Sequence, residues 1–445
     1  MASAAIVGSR NVGLLVDCWP EHGDSNLADA IDCLRELGLG PRVYAARQQG
    51  QGAVFAPGPS PNLTLATASS TGWRGLTAHL RRFACSPLRY LYCRGCAVLR
   101  NRPNLREFGR TVQLAVNMRR DGVVHLHACH SSSAALAATL GRLTGIPYSL
   151  TLEPMDLRDR SSVVLRRSLS AARFTITSTN AARQTARALA PNATIQRAYP
   201  GVDYRRYSPR LRTRCANVPL ILAVGEARAD WDLQALIEAS QRLAARGIAF
   251  RCEVVGQARE LAHNQALIDV GGLHQVLRLV GPLSEEQRLQ RYSRATAFVQ
   301  VPTSHADFTL SAIPSGMLEA MAMALPVVAL RSRATEECLT HGTNGLLVSE
   351  GDAAELFQAL QSLLQQPRLG EGLGAQARTT VIERFDGELN RRTLQELLAQ
   401  STQRIVATSS KQAHGGASPV QWPVVDQARG LPAHSINRSP GLHHA

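Results

Sequence analysis

The feature that most constrains this chain is an alternation, repeated in two halves, of short apolar runs and longer amphipathic stretches. Residues 12–17 (VGLLVD) form one such run, and residues 27–37 follow it with Leu27, Ile31, Leu34 and Leu37 on one helical face. Residues 42–46, 123–126 (VVHL), 148–152 (YSLTL) and 174–178 (FTITS) predict further strands, and 133–143 predicts a helix. The pattern restarts at 219–225 (PLILAVG). Strands are then predicted at 250–255, 276–279, 297–301, 327–330 and 345–348. The intervening helices are predicted at 233–245, 258–270, 284–294, 316–324 and 353–365. Strands that alternate with helices close as parallel sheets with right-handed crossovers. The expected fold class is α/β: two doubly wound, Rossmann-like domains facing across a cleft lined by strand carboxyl ends, where such sheets bind ligands.

The joint is expected in 198–217, a stretch of Tyr, Pro, Gly and Arg, which places the domains at 1–205 and 206–400. Residues 48–70 are low in charge and rich in Gly, Pro, Ser and Ala, so they read as a loop. Residues 401–445 lack periodicity and carry Gly-Gly, Ser-Pro and Leu-Pro breakers; a disordered tail is expected there.

Composition narrows the partners. Charged residues are 19 % and apolar residues 44 %, which excludes a disordered polyelectrolyte and suffices for two cores. No apolar run approaches the ~20 residues of a membrane-spanning helix. The first ten residues lack the basic-then-apolar order of a secretory leader, so a cytoplasmic location is expected. The net charge is +15, and every cation but Lys411 is arginine. Such a surface draws phosphorylated sugars, anionic lipid or nucleic acid. Aromatics are only 5 % and do not interleave with basic segments, so nucleic acid is not an expected partner. The nine cysteines are scattered, and Cys93 and Cys96 form a lone C-x-x-C without the second pair that zinc needs; reduced thiols and no metal are expected.

One block carries chemistry. Residues 311–315 (SAIPS) feed a helix beginning near Gly316, whose free amides and positive dipole end suit a diphosphate. Glu319 lies one turn in, among Leu318, Met321 and Ala322. It either accepts two ribose hydroxyls, as acids at dinucleotide sites do, or only supports the helix N-terminus.

The block 311–348 resembles the donor-nucleotide domain of GT-B glycosyltransferases, specifically glycosyltransferase family 4 and its exopolysaccharide and colanic-acid members. That family's pattern is Glu, seven residues, then Glu-Ala-Met-Ala, a Pro-Val-Val strand and Asn-Gly-Leu-Leu-Val. Here Glu319-Ala320-Met321-Ala322, Pro326-Val327-Val328 and Asn344-Gly345-Leu346-Leu347-Val348 follow at the family's spacing. The first half is similar too, in His125-Leu126-His127-Ala128 and Gly145-Ile146-Pro147. Tyr199-Pro200-Gly201-Val202-Asp203 and Tyr207-Ser208-Pro209 resemble the family's interdomain joint. The likeness spans roughly 12–400.

The resemblance implies a retaining, metal-independent transferase without cofactor. It would move a sugar from a nucleotide-sugar donor to a polysaccharide or a lipid-linked glycan. It implies a donor site at Glu319, Ser311, Ala312, Ile313, Pro314, Ser315, Gly316, Glu226 and Trp231. Five positions depart from the pattern. Ser311 stands where the family has its first Glu, Glu226 at its Arg, Trp231 at its Lys, Glu153 at a His, and Cys129 at another His. Arg228 is the nearest cation that could replace the lost ones at the leaving diphosphate, and it completes an implied catalytic set with His127 and Asp156. These departures keep a second expectation open: a catalytically impaired GT-B protein acting as partner or scaffold in glycan biosynthesis.

Residues 77–120 predict a helical region with ten arginines interleaved with apolar residues. It reads either as a basic face for a peripheral membrane surface, suiting a lipid-linked acceptor, or as an ordinary helical insertion with a charged outside.

Overall fold

The computed structural model describes residues 11–19, 25–48, 64–67, 73–99, 105–158, 162–213, 218–225, 233–256, 261–300 and 312–412. The first sheet is built from β1 (Asn11–Trp19), β2 (Gly40–Gln48), β3 (Thr64–Thr67), β4 (Val123–Ala128), β5 (Tyr148–Leu152), β6 (Thr175–Thr177) and β7 (Ile195–Arg197). Its helices are α1 (Ser25–Glu36), α2 (Trp73–Cys85), α3 (Pro87–Leu99), α4 (Leu105–Arg120), α5 (Ala134–Thr144), α6 (Val163–Ala171) and α7 (Asn180–Leu189). The second sheet holds β8 (Leu220–Val224), β9 (Arg251–Val255), β10 (Leu277–Val280), β11 (Ala297–Val299), β12 (Val327–Leu330) and β13 (Leu346–Val348). It is flanked by α8 (Gln234–Ala245), α9 (Leu261–Val270), α10 (Glu285–Arg294), α11 (Ser315–Ala322), α12 (Arg333–Glu336), α13 (Ala353–Gln365) and α14 (Pro367–Arg384), and the long α15 (Gly387–Gln412) follows.

Strand order is β3-β2-β1-β4-β5-β6-β7 in one sheet and β10-β9-β8-β11-β12-β13 in the other, and the pairs are parallel throughout. Each order reverses beside its first strand, between β1 and β4 and between β8 and β11. Those two switch points open crevices at strand carboxyl ends. The local chemistry suits each element. Helix α5 stops at Gly145, whose φ of 76° lets its amide close on the Gly141 carbonyl. Helix α10 opens on a reciprocal capping box between Ser284 and Gln287.

Two expectations need correction. Residues 48–70 are not wholly loop: Thr64–Thr67 forms β3, paired with the edge of β2. The tail expected from residue 401 is helical in its first part, because α15 continues to Gln412 with Ser401 and Thr402 buried. Residues 413–445 lie outside the described residues.

Helix α15 does not belong to the sheet that precedes it. It crosses back to the first sheet, where Leu397 and Leu398 join Leu14, Leu34 and Phe174 in one core. Arg391 ion-pairs with Glu36 on α1. At the crossing, the Val202 amide donates to the Phe385 carbonyl at 2.9 Å and the Gly387 amide to the Val202 carbonyl at 3.1 Å. Gly201 packs so closely on Gly387 that a Cβ there would sit 2.2 Å from its Cα.

A second contact orients the sheets. The Glu337 carboxylate accepts from the Asn180 amide (2.9 Å), the Ala181 amide (3.1 Å) and the Tyr199 hydroxyl (2.9 Å). Helix α7 starts just past the carboxyl end of β6, and Glu337 follows α12 past the carboxyl end of β12. The two carboxyl edges therefore face each other, as expected.

Candidate functional site

On the second sheet the site begins with the N-terminus of α11. Its N-cap is Pro314, which offers no side-chain cap, so the first-turn amides keep their partial positive charge. The helix starts flush against the end of β8. A Cβ at Gly316 would lie 3.0 Å from the Val224 carbonyl oxygen and 3.2 Å from the Tyr292 hydroxyl. Any side chain there would have to push these neighbours back by a few tenths of an ångström, so glycine lets the helix end sit close at the β8–β11 switch point. Within the predicted loop Ala312 and Ser315 are exposed, whereas Ile313 is 3 % exposed and packs with Met317 and Leu318 in the core. As a ligand-touching side chain Ile313 is therefore corrected to an anchor.

Glu319 is held from α10. Arg288 reaches its carboxylate at 3.4 Å, and the Glu319 side chain is 12 % exposed. The Tyr292 hydroxyl donates to the Gly316 carbonyl at 3.0 Å. Burial, and then the Glu319 charge, pushes the Tyr292 phenol well above its usual pKa, so it stays a neutral donor. Tyr207 lies edge-on to Tyr292 and is raised by the same two causes. Sequence reading found Glu319 but missed Arg288 and Tyr292, which sit in an ordinary amphipathic helix about thirty residues upstream. Ser311, Glu226, Arg228 and Trp231 lie outside the described residues.

On the first sheet the polar residues of β4 and β5 divide into a buried set and a more open one. His127 was expected to be catalytic, but it is 1 % exposed and both ring nitrogens are engaged. Its Nδ1 bonds the Ser149 hydroxyl at 2.8 Å and its Nε2 the Thr151 hydroxyl at 3.1 Å. With His125 it stacks near Phe174, at ring distances of 6.2 and 6.1 Å. Burial lowers the pKa of His127 to about 4 and of His125 to about 3. Both are neutral core residues of β4.

The second residue past the end of that strand is less enclosed. Cys129 is fully buried, whereas His130 is half-buried, with Nδ1 3.4 Å from the Glu153 carboxylate. Asp156 accepts from the Glu153 amide at 2.9 Å and so fixes the turn that presents Glu153. His130, Glu153 and Asp156 form a polar cluster at the carboxyl ends of β4 and β5. The only sequence signal for His130 is its place two residues past the strand.

Comparison with known proteins agrees with this geometry. Residues 218–366 match the model of the family described as glycosyl transferases group 1. The amylovoran biosynthesis glycosyltransferase AmsK of Erwinia amylovora is 29 % identical over 202 residues, covering 44 % of this chain and 49 % of that protein. The putative colanic acid biosynthesis glycosyltransferase WcaL of Escherichia coli is 30 % identical over 165 residues, covering 37 % and 41 %. The matches thus span about half the length of these curated relatives. Among solved structures, Anabaena HepE in complex with UDP superposes with a TM-score of 0.66 at 14 % identity, covering 88 % of this chain and 100 % of that one. A glycosyltransferase from Rickettsia africae gives 0.64 at 15 %, covering 90 % and 99 %. The fold is GT-B, and its second sheet is carried by a segment, residues 218–366, that matches the glycosyl transferases group 1 model.

Proposed function

We propose that this chain is a glycosyltransferase that moves a sugar from a nucleotide-sugar donor to a growing polysaccharide or a lipid-linked glycan. The observation that carries the reading is the uncapped N-terminus of α11, set at the β8–β11 switch point with Glu319 one turn behind it. A nucleoside diphosphate fits that arrangement: phosphate oxygens at the first-turn amides and ribose hydroxyls at the carboxylate. Expulsion of the diphosphate builds negative charge, and amides and guanidinium groups fixed in advance stabilise it more in the transition state than in the bound donor. Arg228 is our assignment for the guanidinium, in a retaining reaction that needs no metal. His130, Glu153 and Asp156 would meet the acceptor from the opposite edge. The relatives AmsK and WcaL, named for amylovoran and colanic acid biosynthesis, support a polysaccharide product.

The test is binding of UDP, GDP and ADP by thermal shift and calorimetry. One of them should bind, and Glu319→Ala should weaken it by ~1.5–3 kcal/mol, the range for a hydrogen bond to a charged group. Unchanged affinity in Glu319→Ala would remove the ribose role. Binding that survives without sugar transfer to any glycan acceptor would favour the scaffold reading instead.

A further inference from the structure

The flank of the first domain carries a basic, apolar surface that the donor site does not use. Helices α2 and α3 form a hairpin laid against α4 and α5. Arg82 on α2 is only 1 % exposed, the largest of the fully buried side chains among the described residues. Its Nε and Nη2 have no hydrogen-bond partner. Burial first, and then the like charge of Arg119 and Arg89, disfavours its charged form. Arg119 donates to the Thr144 carbonyl at 2.7 Å, and the Arg89 guanidinium lies where a Cβ on Gly145 would be 2.5 Å away. Three guanidinium groups thus gather at the end of α5. The sequence holds no Asp or Glu between Glu36 and Glu107, so the hairpin has no carboxylate of its own to offset them.

Beside this cluster lies an open groove of ≈ 390 Å³ lined by Leu88, Arg89, Tyr92, Cys93, Gly141 and Arg142. Around it the usual order of a soluble surface is reversed. Leu80, Phe83, Leu88, Leu91 and Tyr92 are exposed, Leu88 by 82 %, alongside the exposed Arg81, Arg89 and Arg94. These are five of the twelve large exposed apolar side chains among the described residues, gathered in thirteen positions. Leucine and aromatic side chains ringed by arginine, without acid, match the boundary of an anionic bilayer, where apolar groups enter the acyl region and guanidinium groups meet phosphate.

We propose that the α2–α3 hairpin docks this protein on an anionic lipid surface, with a headgroup phosphate meeting the exposed Arg89 and Arg119 beside the groove, behind which Arg82 is buried. The proposal deepens the acceptor side of the proposed transferase, since a lipid-linked acceptor is presented at such a surface. It uses no residue of the donor site, so it stands or falls separately from nucleotide binding.

The full chain is mixed with phosphatidylglycerol-containing and pure phosphatidylcholine vesicles and sedimented. Binding to the anionic vesicles alone, weakening with salt, is the expected result. Arg81→Met and Arg89→Met should each lower it about fivefold, the equivalent of one basic residue at a bilayer surface. Leu88→Asp with Leu91→Asp should abolish it. Equal sedimentation with both vesicle types, or anionic binding unchanged in the variants, overturns the proposal. Stabilisation by inorganic phosphate without vesicle binding also overturns it, by assigning the cluster to a soluble phosphate. UDP, GDP and ADP affinities should be the same in all of these variants.

Discussion

At the residue scale, the carboxylate of Glu337 does two tasks in one place. It caps α7 through the Asn180 and Ala181 amides and takes the hydroxyl of Tyr199, whose ring lies 4.0 Å under the Arg197 guanidinium. Glu337→Ala leaves the first amides of α7 without this cap and should lower unfolding free energy by ~1–3 kcal/mol, measured by urea denaturation. The β4 histidines make a second residue-level expectation. Their folded pKa values, about 4 for His127 and about 3 for His125, lie below the ordinary 6.5. The unfolded chain therefore binds more protons once pH falls below 6.5. Stability should be complete above that pH and decline as pH drops towards 4, by roughly 1.4 kcal/mol per pH unit for each histidine. Melting temperatures between pH 7 and 4.5 test this, and His127→Gln should flatten part of the slope. Glu319 was readable in the sequence because its motif is contiguous. Arg288 and His130 were not, since each gains its meaning from a carboxylate brought by another element.

At the element scale, strong apolar runs declared β1, β4, β5, β8, β9 and β12, whereas β3 and β7 escaped notice. Both are edge strands of three or four residues (TLAT and IQR), too short for periodicity to rise above composition. Helix α15 is not legible beyond residue 400 for a different reason: its mixed polar face gives little periodic signal, and the apolar surface it covers lies more than 200 residues away in sequence. Leu398 is fully buried there. Leu398→Ala should cost ~2–5 kcal/mol. The loss should appear in the first sheet, as faster amide exchange in β1 and β4 with β8 and β9 little changed. Equal loosening of both sheets would mean that α15 does not act as part of the first core.

At the scale of the whole molecule, the doubled strand order was open to sequence reasoning because parallel crossovers leave few topologies for such a pattern. The contacts that unite the halves were not, because Glu337, Tyr199 and the Gly201–Gly387 approach join positions with no shared local pattern. The return of α15 has a consequence for the order in which the molecule can be made. The strands of the second sheet and the helices around them come from one continuous stretch, 218–384, and can close their core as soon as that stretch has been synthesised. The first sheet starts to emerge earlier but lacks Leu397 and Leu398, which arrive among the last residues of the described chain. The earlier-made half should therefore finish later. In refolding with pulsed hydrogen exchange, amides of β8, β9 and β12 should gain protection before those of β1 and β4, reversing the N-to-C order common in chains of consecutive domains.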